Sequence, residues 1–227
     1  MRGFRLSHAG LVLEHENASL FVDPGNFSTE GELAAALNSA TKPAGIVITH
    51  EHADHFTPEH VRAILVASPN APIFTTAATA VALEEAGITG AFVAQEGDTL
   101  EAGPFTLEFY GRRHEVLHSS IPVIDNLGVR VNGTLAWGGD SLTRPPFAAD
   151  LLGVPIGSPW SNIAQVMDFT LNAAPRRAFL THDGMLSERG LALFTERVRS
   201  CLAQFGGDLV TLPRIDEDPT ARLDLTA

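Results

Sequence analysis

Residues 47–56 read VITHEHADHF. Within six positions, His50, His52, Asp54 and His55 offer four side chains that can bind a divalent metal, with Glu51 between them. Neutral imidazole and carboxylate suit zinc and similar ions, and one ion needs three or four such ligands. The run follows AGIVIT (44–49), a short, continuous apolar stretch rich in β-branched residues, which predicts a buried strand. In an extended segment residues i, i+2 and i+4 face the same way, so His50, His52 and Asp54 can share one space. Thr57 as cap and Pro58 at the first helical position predict a turn that swings His55 toward the same volume. The plain alternative is a solvated, histidine-rich loop.

One such stretch does not complete a site. The other candidates all stand where a predicted strand gives way to a loop, the usual place for functional groups on a rigid scaffold. FTLEFYGRRHEVLH carries His114 and His118, TLAWGGDS carries Asp140, and RAFLTHDG carries His182. Asp23, in FVDPG, is either a hydrogen-bond acceptor that fixes a ligand histidine's tautomer or a turn-former before Pro24.

The elements that must position these residues can be read coarsely. LVLEH and SLFVD, separated by ENA, predict a hairpin. TEGELAAALNSA predicts a helix with Thr29 as cap and Glu32 three residues on. TPEHVRAILVA and AATAVALEEAG predict helices, the second stopped by Gly87, and PIFTT a buried strand. Five short β-runs follow: AFVAQ, DTLEAG, FTLEFYG, LGVRVNG and TLAWGG. DLLGVPIG and RAFLTH predict strands, and WSNIAQVMDFTLNAA and SERGLALFTERVRSCLAQFG helices. Two antiparallel-looking batches of strands, each flanked by helices, suggest two sheets packed face to face with helices outside.

The chain has 227 residues, 44% of them hydrophobic, enough for a sizeable core, and one domain over 1–227 is expected. Residues 213–227 are polar and Pro-containing and are expected to form a peripheral, irregular tail. A net charge of −12 with no basic run argues against nucleic acid and against anionic membrane surfaces. Cys201 is the single cysteine and can form no internal disulfide. His8 and Glu14 interrupt any apolar signal-type run near the start, and no run approaches a membrane span, so a cytoplasmic protein is expected.

Taken together, His50, His52, Asp54, His55, a histidine at 114 or 118, Asp140 in GGDS, His182 in THD and Asp23 in FVDPG resemble the metallo-β-lactamase superfamily. The resemblance spans residues 4–205 and looks nearest to the branch of L-ascorbate-6-phosphate lactonase-like hydrolases. It implies an α/β (α+β) fold: a four-layer αββα sandwich of two mixed β-sheets flanked by helices. It also implies two divalent metals, zinc first and manganese or iron as alternatives, with a water or hydroxide between them. His50, His52 and His114 would hold one metal, Asp54, His55 and His182 the other, and Asp140 would bridge. The implied activity is hydrolysis of a small-molecule lactone, ester, amide or phosphoester, with a di-iron redox protein of the same fold as the alternative. Asp54 would orient the nucleophile or pass a proton. His114 is favoured as ligand because it lies nearer the strand end, which leaves His118 either to support a ligand from behind or to face the substrate.

Several residues carry two readings. Trp160, in PIGSPWSNI, either walls a substrate pocket or pins a loop. Arg112 and Arg113 either attract an anionic substrate or are solvated. His8 is expected to be a structural histidine, His15 and His60 surface residues, and Cys201 a buried thiol. A homo-oligomer stays open.

Overall fold

Leu11 and Leu13 are buried on one side of their strand and Val12 on the other. Leu20 and Val22 alternate with Phe21 in the same way, as does Val47 with Ile46. Strands buried on both faces must lie between two layers, because successive side chains point to opposite faces. The computed structural model, which describes residues 1–226, shows those layers. The first half runs β1 (Arg2–Arg5), β2 (Leu11–His15), β3 (Ala18–Val22), α1 (Glu30–Ser39), β4 (Lys42–Val47), α2 (Pro58–Ala67), β5 (Ile73–Thr75), α3 (Ala77–Glu85) and β6 (Phe92–Val93). The second runs β7 (Thr99–Ala102), β8 (Phe105–Tyr110), β9 (Gly128–Val131), β10 (Leu135–Trp137), β11 (Leu151–Pro155), α4 (Ile163–Ala173), β12 (Arg177–Thr181), α5 (Glu188–Ala203) and β13 (Asp208–Leu209). A last strand, β14 (Leu223–Asp224), returns to the first half.

One sheet has the order β14-β1-β2-β3-β4-β5-β6 and the other β13-β12-β11-β10-β9-β8-β7. Their facing sides share one apolar cluster, in which Leu11, Leu13, Leu20 and Val22 join Phe105, Leu107, Val129, Trp137 and Phe179. Val12, Phe21 and Ile46 face outward onto Leu33, Ala36, Val61, Ile64 and Leu83 of α1, α2 and α3. On the far side Leu152, Val154 and Ala178 meet Val166, Phe169, Val198 and Leu202 of α4 and α5. The result is two mixed sheets between two layers of helices. The strand batches are not simply antiparallel: β3 to β6 and β10 to β13 are parallel runs.

Local signals account for several joints. Glu16 and Asn17 both adopt positive φ, the backbone of the two-residue turns that match hairpin twist. Thr29 and Glu32 form a reciprocal capping box at α1. Thr57 occupies the cap position of α2 but makes no capping bond; its hydroxyl turns to Glu59 instead. His60 is not a surface residue. It shares the sheet-facing side of α2 with Val61 and Ile64, and its Nδ1 lies 3.2 Å from the Pro24 carbonyl. Residues 213–226 are mostly irregular and partly exposed but are tied to the body at two points: β14 pairs with β1 next to the buried Leu225, and Ile215 is buried beside the helix layer. Among the described residues, no helix is long and apolar enough to cross a membrane.

Candidate metal centre

Strand polarity assembles the centre. β1, β3 and β4 run in one direction, as do β8, β10, β11 and β12 in the other sheet. Each ends at the same edge of the sandwich, where ligands of parallel sheets are generally held. His8 follows β1, Asp23 follows β3 and residues 50–55 follow β4. His114 follows β8, Asp140 follows β10, Ser158 and Trp160 follow β11, and His182 follows β12.

Two groups of four ligand-type side chains result. His50, His52, His114 and Asp140 have ligand atoms within 4.8 Å of one another, and so do Asp54, His55, Asp140 and His182. Asp140 is common to both. Its Oδ2 lies 3.3 Å from His114 Nε2 and 4.0 Å from His50 Nε2, while its Oδ1 lies 2.9 Å from His55 Nε2 and 3.1 Å from His182 Nε2. Six of the nine histidines meet here, His8 included. His118 does not: it is exposed, and its Nδ1 is tied to Ser120 in a surface turn.

The far nitrogens set how the rings present themselves. His55 Nδ1–H donates to Asp23 Oδ2 at 2.9 Å, and His114 Nδ1–H to the Glu115 carbonyl at 2.7 Å. His182 Nδ1 pairs with Ser158 Oγ at 3.1 Å. Thr49 Oγ1 donates to Asp23 Oδ2 at 2.9 Å and so accepts from His50 Nδ1–H at 3.0 Å. Such partners turn the Nε2 lone pairs inward and fix the tautomers. Asp23 also accepts from Thr49 N–H at 2.8 Å and Trp137 Nε1–H at 2.8 Å, so its completely buried carboxylate organises both groups.

A metal pair fits this arrangement. His55 Nε2, His114 Nε2, His182 Nε2 and Asp140 Oδ1 are buried atoms without a hydrogen-bond partner, aimed at one space. Buried polar atoms are normally paired, and four such orphans in one place are what a bound cation would satisfy. Imidazole nitrogens with carboxylate oxygens are the donor set of zinc, iron and manganese.

His8 is the residue that sequence reading undervalued. Gly184 N–H donates to His8 Nδ1 at 3.1 Å, which leaves Nε2–H to donate to Asp54 Oδ2 at 3.1 Å. Its ring lies 3.8 Å from that of His182, and its carbonyl accepts from His182 N–H at 3.1 Å. The signal available in the sequence was its place just past a β-type run, like the other candidates. Among the described residues, three of the seven non-glycine residues at positive φ are His8, Asp23 and His182, so backbone strain is concentrated at the centre. Trp160 donates from Nε1 to Asp140 Oδ2 at 2.7 Å and also lines the adjoining cavity. Arg112 pairs with Glu96 at 3.0 Å, and Arg113 lies in a β-bridge with Asp125; neither lines that cavity.

Gly25 seats the motif. A Cβ there would come within 2.0 Å of the Asp54 carbonyl carbon and oxygen, which are backbone atoms that cannot step aside. Gly25→Ala should therefore destabilise at or above the upper end of the ~1–3 kcal/mol typical of overpacking. A thermal melt of the metal-free protein checks this, and an unchanged midpoint would contradict it.

The ring environments differ. Burial, reinforced by His55, holds the His50 imidazole well below its usual pKa, and burial also lowers His52. Burial opposes charge on His55 as well, but Asp140 and Asp23 outweigh it and hold His55 well above the usual value; Asp140 does the same for His182. A raised pKa means that a proton competes with metal at neutral pH, and the competition fades as pH rises through the folded value. A lowered pKa removes that competition. Acidification should thus weaken any metal bound through His55 and His182, by about tenfold in affinity per pH unit for each competing proton. Metal retained after equilibrium dialysis between pH 8 and 6 reads this directly, and retention unchanged over that range would refute it.

No protein-family model matches the chain. It is 29% identical over 196 residues to Protein Rv0786c of Mycobacterium tuberculosis, covering 84% of this chain and 88% of that one. Among solved structures it is similar to Igni18, a metallo hydrolase from the archaeon Ignicoccus hospitalis, with a TM-score of 0.70 and 17% identity over 98% of this chain and 97% of that one. The metallo-β-lactamase fold protein YhfI of Bacillus subtilis gives a TM-score of 0.67 and 18% identity, covering 92% and 95%. CmlA, a diiron β-hydroxylase from Streptomyces venezuelae, gives 0.66 and 13%, covering 93% of this chain and 53% of that one. The chain has the metallo-β-lactamase fold.

Proposed function

We propose that this protein is a metal-dependent hydrolase of a small molecule: a lactone, ester, amide or phosphoester. The observation that carries the reading is the pair of four-ligand groups sharing Asp140 beside a cavity of about 150 Å³. His50, His52 and His114 would hold one divalent ion, and Asp54, His55 and His182 the other, with zinc favoured by the histidine-rich set. When bound, such ions polarise the scissile group and lower the pKa of water from about 15.7 to about 7. The chain's own residues do the rest. Asp54 keeps some exposure to the cavity; against burial, His182 and His8 hold its carboxyl well below the usual range, so it stays ionised and would bind a metal or orient the attacking water. Trp160 and Asp23 hold Asp140 and His55 in place from behind. The lactonase-like reading is the narrower form and rests on the motif set alone.

The similarity to CmlA keeps a di-iron oxygen-handling protein as the second reading. Elemental analysis of the purified protein, with hydrolysis assays after chelation and reconstitution, separates the two. Zinc or manganese that restores hydrolysis, with activity lost in Asp54→Ala, is the expected result. Iron with oxygen uptake and no hydrolysis would overturn the proposal.

A further inference from the structure

Residues 111–126 form a flap over the metal centre. Its base is pinned by the Arg113–Asp125 bridge, by His114 N–H to the Ile124 carbonyl at 3.1 Å and by Asn126 N–H to the Arg112 carbonyl at 3.2 Å. Its tip is turned by Ile121 N–H to the His118 carbonyl at 3.0 Å and by Ser120 N–H to His118 Nδ1 at 3.1 Å. Every residue from Val116 to Val123 is exposed. Four of them are large aliphatics: Val116 at 59%, Leu117 at 45%, Ile121 at 47% and Val123 at 40% exposure. On the surface of a chain carrying −12, such a concentration marks a contact site rather than chance.

The flap's inner side continues into the cavity beside the metal ligands. Leu117, Ile121, Pro122 and Ile124 line it from the flap, and Pro159 and Trp160 from the opposite side. Among the described residues no Lys or Arg lines it. Its one other carboxylate, Glu115, is already committed, accepting from Leu142 N–H at 2.8 Å. Phosphate recognition ordinarily relies on Arg or Lys forks, and none is present. The walls suit an uncharged, apolar group that continues out from the scissile bond.

We propose that the substrate is a neutral ester or lactone bearing an aliphatic arm, and that the arm packs between the flap and Trp160. This rests on the hydrolase reading and narrows it, removing phosphorylated substrates. The reaction adds one water: the acyl C–O bond breaks, the water oxygen forms the new bond to the acyl carbon, and a proton ends on the departing alkoxide. The flap thereby selects by arm length and the metal ligands by scissile bond.

Two series test this on the full-length, zinc-loaded protein. One is turnover of γ-lactones from γ-butyrolactone to γ-octalactone. The other is calorimetric binding of straight-chain hydroxamic acids from acetyl to octanoyl, which needs no turnover. Each methylene that the groove covers should improve kcat/KM and tighten Kd by about threefold to fourfold. Leu117→Ser with Ile121→Ser should flatten both slopes at unchanged metal content, and p-nitrophenyl phosphate should be a poorer substrate than the alkyl lactones. Hydroxamate binding that tightens with length while nothing is hydrolysed would leave the apolar site standing and sink the hydrolase reading. Hydrolysis of the short lactone with slopes flat in length would do the reverse. A preference for the phosphate ester would overturn the inference, as would a dimer in sedimentation that dissociates in the flap variant, because a second copy would then cover these side chains.

Discussion

Asp140→Asn is expected to empty both halves of the centre while leaving the fold intact. Asn keeps the shape, and an amide oxygen can still accept from Trp160 Nε1–H, which lies 2.7 Å from Asp140 Oδ2. What it removes is the negative charge faced by His50, His55, His114 and His182 at 2.9 to 4.0 Å. In the native protein those imidazoles outweigh burial and hold the Asp140 carboxyl well below the usual range, so it is ionised throughout the neutral region. The carboxylate spreads one negative charge over two acceptor oxygens, one toward each group, whereas an amide offers a single neutral oxygen. If the centre holds two metals as proposed, metal content should fall from about two equivalents to well below one, because a ligand common to both groups loses its charge. Hydrolysis should drop by about 10³-fold or more, to the level left by binding alone. Elemental analysis and circular dichroism on the same sample separate the effects. Two equivalents retained in a well-folded variant would show that Asp140 does not bridge.

Asp23 should be the most costly residue to change that binds no metal itself. Its Oδ2 accepts from His55 Nδ1, Thr49 Oγ1 and Trp137 Nε1 at 2.8 to 2.9 Å, and its Oδ1 accepts from Thr49 N–H at 2.8 Å. Asp23→Ala leaves four buried donors without an acceptor, at about 1–3 kcal/mol each, against a total stability of about 5–15 kcal/mol. Asp23→Asn should be little better. If its oxygen serves the three donors at the Oδ2 position, its own amide hydrogens face Thr49 N–H, and if it is flipped the mismatch is threefold. Both variants should melt about 10 °C or more below the native protein, at about 2–4 °C per kcal/mol. Any folded fraction should bind metal about 10–100-fold more weakly, because both His55 and His50 lose their orientation. A melting point within a few degrees of native would contradict this account.

The residues of the centre differ in how much of their environment is encoded locally. His50, His52, Asp54 and His55 were legible because a strand, a motif with period two and a Pro-marked helix start lie within a dozen residues. His114, Asp140 and His182 were legible as candidates because each follows a strand. The choice of His114 over His118 depended on four residues of loop, and only the folded flap shows that one ring turns inward while the other closes a surface turn. His60 was misplaced because one helical turn cannot reveal which face the sheet will cover. Asp23 in DPG left two readings open, acceptor or turn-former, and only the fold brings Thr49, His55 and Trp137 to its carboxylate.

Hydrophobic alternation, turn chemistry and capping act over a few residues, so the sequence by itself determined the elements, their order and the stock of metal-type side chains. Strand polarity across two sheets is a property of the whole chain, and only the tertiary structure decided it. That polarity brings His8, 173 residues from Thr181, to accept its hydroxyl hydrogen while donating to Asp54. It also carries the last strand, beyond a polar tail, back to β1. Backbone pairing and burial between distant segments supply the free energy for both, and a run of residues read in order contains no measure of either.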